Sequence, residues 1–76
     1  MSSNKIKDII KIISKNTGID EKKLNEKSSS DEFPRWDSIA HIKIMVEVEK
    51  KNNKKISTSK MSELNTISKI VKFISK

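Results

Sequence analysis

The stretch of sequence that decides the fold is Trp36-Asp37-Ser38-Ile39-Ala40-His41-Ile42-Lys43-Ile44-Met45-Val46-Glu47-Val48-Glu49-Lys50. Asp37 and Ser38 favour a helix start, because their side-chain oxygens can accept hydrogen bonds from the unpaired N–H groups of a first turn. Apolar helix formers follow with no Gly or Pro among them. The stretch therefore predicts a helix from about Ser38 to Asn52. The Ser38 hydroxyl would lie beside the positive end of the helix dipole, where it either caps the helix or carries a phosphate.

The apolar residues of this helix fall into two stripes at about 100° per residue. One stripe contains Ile44, Met45 and Val48 with His41, and the other contains Ile39, Ile42 and Val46. The polar sector holds Lys43, Glu47, Lys50 and Lys51. A single stripe would suffice for packing in a small bundle. Two interpretations are therefore open: a central helix buried on two sides, or a helix whose second stripe binds a partner.

An amphipathic helix is predicted before this stretch. Its apolar stripe at positions i, i+3, i+4 and i+7 consists of Ile6, Ile9, Ile10 and Ile13, and Ile12 lies off the stripe, where it would widen the buried face. Ser2, Ser3 or Asn4 can cap its start, and Gly18 is well placed to end it.

The connection between the two helices shows no lasting helical period. Asp20 can cap a single turn that ends near Leu24, and the polar segment from Asn25 to Glu32 predicts an exposed loop. The residues expected to anchor this connection to the bundle are Ile19, Leu24, Phe33 and Trp36.

Two further helices are predicted after the central one. The first is a short helix near 57–64, with Ile56, Met61 and Leu64 facing inward. The second is capped by Asn65 or Thr66 and repeats the apolar stripe at Ile67, Ile70, Val71 and Ile74. The expected fold class is all-α: one domain over residues 1–76, a small four-helix bundle of three longer helices and one short helix, with a long loop between the first and second.

The run from Trp36 to Lys50 resembles the start of the second helix of acyl carrier proteins, whose motif is Asp-Ser-Leu. Asp37-Ser38-Ile39 matches that motif with Ile in place of Leu, and Arg35 stands where a Gly is frequent. The helix order, and the segment Leu64-Asn65-Thr66-Ile67, extend the resemblance more loosely over nearly the whole chain.

The resemblance implies that Ser38 carries 4′-phosphopantetheine as a phosphodiester. A phosphopantetheinyl transferase (holo-carrier synthase) would attach it by attack of Ser38 on the pyrophosphate of coenzyme A. The thiol of the arm would hold acyl groups as thioesters for acyl-transferring or acyl-activating enzymes, in fatty-acid-like or specialised biosynthesis. The carrier itself would not be an enzyme and would have no catalytic residue. An aminoacyl, D-alanyl or peptidyl carrier of a dedicated pathway is the alternative within this class.

The resemblance also assigns roles to other side chains. Asp37 would cap the helix, or its carboxylate would be read by the transferase or help to hold the transferase's metal. Partner enzymes would contact Ile39, Ile42, Lys43, Val46 and Glu47. The acyl cavity would be lined by His41, Ile44, Met45, Val48, Leu64 and Ile67. His41 follows Ser38 by one turn, but no carboxylate partner is fixed by spacing, which favours a place at the cavity rim over a nucleophile–base pair.

Composition narrows the classes of function. The 76 residues contain no cysteine and one histidine, so disulfides and thiolate metal sites are excluded and no metal site is expected. No apolar run has membrane-spanning length, and the N-terminus lacks a signal-peptide core. We expect a cytoplasmic monomer that does not insert into membranes.

The net charge of +7, from 17 basic and 10 acidic residues, raises the alternative of a small basic nucleic-acid-binding protein. Against it, Arg35 is the only arginine, the lysines are spread along the chain, and no aromatic stacking strip is present. No nucleic-acid partner is therefore expected.

Many acyl carriers are acidic and offer carboxylates of their second helix to basic patches on partners. The lysines of this helix lead to the hypothesis of a dedicated pathway rather than the general fatty-acid synthase.

Overall fold

The computed structural model describes residues 2–75, with side chains from Lys5 to Ser75. The four α-helices over this range are α1 (Ser2–Thr17), α2 (Ser38–Asn52), α3 (Thr58–Glu63) and α4 (Ile67–Ile74). Two 3₁₀ turns, Glu21–Lys23 and Ser30–Glu32, lie in the connection between α1 and α2. This architecture confirms the predicted all-α bundle and the predicted bounds of its second helix. No helix among the described residues is long and apolar enough to cross a membrane.

The core forms where α1 packs against both α2 and α4. From α1 it takes Ile9, Ile12 and Ile13, whereas Ile6 and Ile10 are only half-buried against its edge. The stripe predicted for α1 therefore faces the core, and Ile12 widens its buried face as expected, but Ile10 is less buried than the spacing indicates. The reason is that two neighbouring helices cover α1, and its buried sector is centred on Ile9 and Ile13 and extends toward Ile12. The predicted caps at Ser2, Ser3 and Asn4 fall inside α1, and their side chains lie outside the described set.

The start of the α1–α2 connection follows the sequence prediction. Gly18 ends α1 with a φ of +79°, in the left-handed region that glycine occupies at little cost. The Asp20 carboxylate accepts a hydrogen bond from the Lys22 N–H and caps the Glu21–Lys23 turn. Leu24 and Trp36 are buried as expected, while Phe33 is half-buried.

The middle of this connection is mostly exposed, as its polar composition predicts, but it is held against α4 around Ser28. Ser28 is buried, and its carbonyl accepts a hydrogen bond from the Ile67 N–H at 3.1 Å. The Glu26 carbonyl accepts from the Ser68 N–H at 2.9 Å. The first N–H groups of a helix have no partner within the helix, and here the connection supplies acceptors to α4. Because these backbone hydrogen bonds pair the first N–H groups of α4, the segment lies against α4 although its side chains are polar.

The last two helices lie where the sequence predicts them, and Thr66 is the one of the two candidate caps that caps α4. Ser57 and Thr66 cap α3 and α4 by accepting from the N–H groups of Lys60 and Lys69. The side chains buried in this part of the bundle are Ile56, Leu64, Ile67, Ile70, Val71 and Ile74. Met61 is half-buried against them.

Candidate functional site

The first turn of α2 separates the roles of its two polar start residues. Asp37 has an extended backbone, and its Oδ1 accepts a hydrogen bond from the Ala40 N–H at 2.9 Å. Asp37 is therefore the cap, and Ser38 is the first residue of the helix. Ser38 is exposed, and its hydroxyl makes no hydrogen bond to any residue in the described range. The interpretation of Ser38 as the helix cap is wrong, because Asp37 caps the helix.

Backbone donors remain available next to the Ser38 hydroxyl. The Ala40 and His41 N–H groups donate to the side chain and the carbonyl of Asp37. The N–H groups of Ser38 and Ile39 have no acceptor among residues 2–75. These two donors point along the axis at the positive end of a helix of 15 residues. A phosphate on the Ser38 side chain would find both donors within the same turn.

Beside Ser38 lies an open cleft of about 570 Å³ between α2, α3 and the Ser30–Glu32 turn. Its lining is Ser30, Asp31, Trp36, Asp37, Ser38, His41, Ile42, Thr58, Met61, Ser62 and Asn65. Most of these side chains are polar, but more than half of the surface that lines the cleft is apolar, so the cleft offers both hydrogen-bonding groups and apolar contacts. The sequence analysis did not identify Ser30, Asp31 or Ser62 as site residues, because they come from segments that only the tertiary fold brings to α2.

His41 lies half-buried at the edge of this cleft, and both of its ring nitrogens are engaged. The Trp36 indole Nε1–H donates to His41 Nδ1 at 2.9 Å. His41 Nε2 lies 2.8 Å from the Met61 carbonyl oxygen in α3. Because an indole N–H can only donate, Nδ1 is the acceptor and Nε2 carries the proton that is donated to Met61. His41 therefore joins the loop before α2 to α3.

The stripe of α2 that was predicted to face the core does so. Ile44, Met45 and Val48 are fully buried, and Leu64 and Ile67 are buried with them in the same cluster. These are the side chains that the sequence resemblance assigns to an acyl cavity, and the structure brings them together. Here they are packed side by side as core.

The second stripe of α2 faces solvent. Ile39 is 69% exposed, Ile42 is 53% exposed and Val46 is 37% exposed. They are the large hydrophobic side chains that the described part of the chain leaves exposed. The interpretation of α2 as a helix buried on two sides is therefore wrong. Lys43 is exposed beside them.

Glu47, the other residue expected at the partner surface, is directed toward α1. Its Oε2 accepts from Lys15 Nζ at 2.9 Å, and its Oε1 accepts from Asn16 Nδ2 at 3.1 Å. These two hydrogen bonds, that from Lys15 first, hold the pKa of Glu47 below its ordinary value of 4.5. The sequence analysis missed this pairing, since no spacing rule links residues on separate helices.

Comparison with protein-family models and with curated proteins found no match to this chain.

Proposed function

We propose that this protein is a carrier protein in which Ser38 bears a covalently attached 4′-phosphopantetheine. One observation carries the proposal: the Ser38 hydroxyl is exposed at the start of α2, and Asp37 relieves it of the capping role. Among the described residues, the Ser38 hydroxyl has no hydrogen-bond partner that would give it a structural role. The exposed stripe on the same helix and the cleft beside the serine are consistent with a modified arm that partner proteins approach.

The residues around Ser38 fit the attached group. Ser38 would form the phosphodiester, and the N–H groups of Ser38 and Ile39 would donate to its non-bridging oxygens. Thr58, Ser62 and Asn65 in the cleft would form hydrogen bonds with the amide and hydroxyl groups along the arm. When bound, the group supplies a thiol at the end of a long flexible tether.

The engagement of His41 supports a carrier rather than an enzyme with a serine nucleophile. A nucleophilic serine needs a neighbouring base with a free nitrogen. Both nitrogens of His41 are held by Trp36 and by the Met61 carbonyl. The proposal thus assigns Ser38 as the residue acted on by a separate phosphopantetheinyl transferase, with acyl-transferring or acyl-activating enzymes as later partners. We also propose that the protein is a monomer and acts in the cytoplasm.

The packing of the core favours one cargo class over another. Ile44, Met45 and Val48, which the resemblance assigns to an acyl cavity, are fully buried in the core, so a long hydrocarbon chain would have to displace them. This favours an aminoacyl or hydroxyacyl group, as in an aminoacyl, D-alanyl or peptidyl carrier, over a long fatty acyl chain. The comparison to make is thermal unfolding of alanyl-loaded and octanoyl-loaded protein. A large stabilisation by octanoyl alone would indicate that the chain enters the core and would remove this preference.

Intact mass spectrometry after incubation with coenzyme A, magnesium and a broad-specificity phosphopantetheinyl transferase tests the modification. We expect the wild type to gain the mass of one phosphopantetheine and Ser38→Ala to gain none. Ser62→Ala is the matched control, since Ser62 is an exposed serine that lines the same cleft, and it should be modified like the wild type. A wild type that several transferases leave unmodified, or a gain that persists in Ser38→Ala, would overturn the proposal.

A further inference from the structure

The exposed face of α2 alternates apolar and cationic side chains along one line. Ile39, Lys43, Val46 and Lys50 follow at i, i+4, i+7 and i+11, the spacing of neighbours on one helix face, and all four are exposed. Ile42 lies beside this line and is also exposed. We call these five residues the docking strip.

The carboxylates of α2 that could offset the positive charge of its lysines accept hydrogen bonds from other segments of the protein. Both oxygens of Glu47 accept hydrogen bonds from α1. Glu49 is half-buried, and its Oε2 accepts from the Ile56 N–H at 2.6 Å, which fixes the segment after α2. Lys43 and Lys50, in contrast, form no ion pair within the described residues. The outward charge of the strip is therefore positive.

We infer that the docking strip binds a partner protein whose own contact patch is apolar and bordered by carboxylates. This inference deepens the proposed function and rests on it for the class of partner, an enzyme that acts on the carrier. The three aliphatic side chains supply the apolar centre, and Lys43 and Lys50 supply charges that complement an acidic border. A basic partner would place like charges opposite these lysines, which slows the encounter and costs affinity.

The same face suits a lipid surface or a nucleic acid less well. A helix that lies in a membrane interface buries a broad apolar face with aromatic anchors, whereas this strip has three aliphatic side chains and no aromatic residue. Nucleic acids bind lysines through phosphates and gain nothing from exposed isoleucine and valine, and they stack on aromatic side chains that the strip lacks. A protein surface uses both components of the strip.

The test uses two synthetic amphipathic helical peptides as probes. They share one leucine face and differ only in its flanking residues, which are Glu in one peptide and Lys in the other. Each is titrated into ¹⁵N-labelled protein at about 0.15 M salt, where long-range attraction is largely screened. The variant is Lys43→Glu/Lys50→Glu. Its matched control is Lys7→Glu/Lys11→Glu, which makes the same change in net charge at exposed positions of α1.

We expect the Glu-flanked peptide to shift amide signals from Ile39 to Lys50. Its Kd should weaken on the order of tenfold in Lys43→Glu/Lys50→Glu and by less than about twofold in the α1 control. Equal binding of the Lys-flanked peptide, or shifts spread over all the lysines, would overturn the inference. So would a stronger effect on the same amides from phosphatidylglycerol vesicles or from single-stranded DNA.

The outcome is separable from that of the modification experiment. Peptide binding needs no phosphopantetheine, and Ser38→Ala should bind the Glu-flanked peptide as the wild type does. If the protein binds the Glu-flanked peptide but is not modified, the inference about the docking strip holds and the proposal of a carrier is wrong. If the protein is modified but does not prefer the Glu-flanked peptide, the proposal of a carrier holds and the inference about the docking strip is wrong.

Discussion

The indole N–H of Trp36 donates to His41 Nδ1 at 2.9 Å, and this contact determines which nitrogen of the histidine carries the proton. Nε2 is then the donor to the Met61 carbonyl in α3, at 2.8 Å. Trp36 is buried and lies just before α2, so one histidine connects the end of the long loop, the first turns of α2 and the short helix α3. These three segments enclose the cleft beside Ser38.

We expect Trp36→Phe and His41→Leu to be energetically coupled. Each substitution removes one partner of the hydrogen bond and keeps an apolar side chain in place. A double-mutant cycle measured by urea unfolding should give a coupling free energy of about 0.5–1.5 kcal/mol. Trp36→Phe combined with Lys7→Ala, on the exposed face of α1, should be additive. Additivity in the Trp36–His41 cycle as well would mean that the bond contributes nothing to stability.

Ser38→Ala and Asp37→Ala should differ in their effect on folding. The Asp37 side chain accepts the Ala40 N–H and caps α2, so its removal should lower the free energy of unfolding by about 0.5–2 kcal/mol. The exposed Ser38 hydroxyl makes no bond in the described structure, and Ser38→Ala should stay within about 0.5 kcal/mol of the wild type. Urea unfolding at neutral pH measures both. A loss at Ser38 as large as that at Asp37 would assign the capping role to Ser38 after all.

Features set by neighbouring residues could be predicted from the sequence. The caps at Asp20 and Thr66 depend on side chains that reach the next N–H groups in the chain, and the sequence predicted Asp20 and gave Thr66 as one of two candidates. The bounds of α2 and the division of its apolar residues into two stripes depend on helical geometry alone. The exposure of the second stripe could not be decided in this way, because it depends on whether another segment covers it.

Features set by distant segments were missed. Ser28 was predicted to lie in an exposed loop, and it is a loop residue, but it is buried where the backbone of the loop supplies acceptors to the first turn of α4. Glu47 was predicted to contact partner proteins, but its carboxylate accepts hydrogen bonds from Lys15 and Asn16 of α1. Neither relation has a fixed spacing along the chain, so no local pattern could indicate it.

The core of α1 can be tested by comparing alanine substitutions at adjacent positions. Ile12 is 3% exposed and Ile10 is half-buried, although the helical spacing alone favours Ile10. Ile12→Ala should lower the free energy of unfolding by about 2–5 kcal/mol, as should Met45→Ala and Ile70→Ala, because each leaves a cavity. Ile10→Ala should cost clearly less. Urea unfolding of the four variants checks the order, and a greater loss at Ile10 than at Ile12 would contradict this packing.

The pairing of Glu47 with α1 should make stability depend on pH in acid. Lys15 and Asn16 hold the pKa of Glu47 below 4.5 in the folded protein, so the ionised carboxylate stabilises the fold at any pH above that value. The contribution is lost as the pH falls from 4.5 through the lowered pKa. The Lys15 ammonium is exposed, so the gain over Glu47→Gln at pH 7 should be at most about 1 kcal/mol. Urea unfolding at several pH values should show this difference shrink to nothing in strong acid. Glu26→Gln, at an exposed residue whose carboxylate makes no bond to the described residues, should track the wild type throughout. A difference at Glu47 that persists unchanged in strong acid would mean that its carboxylate charge does not stabilise the contact with α1.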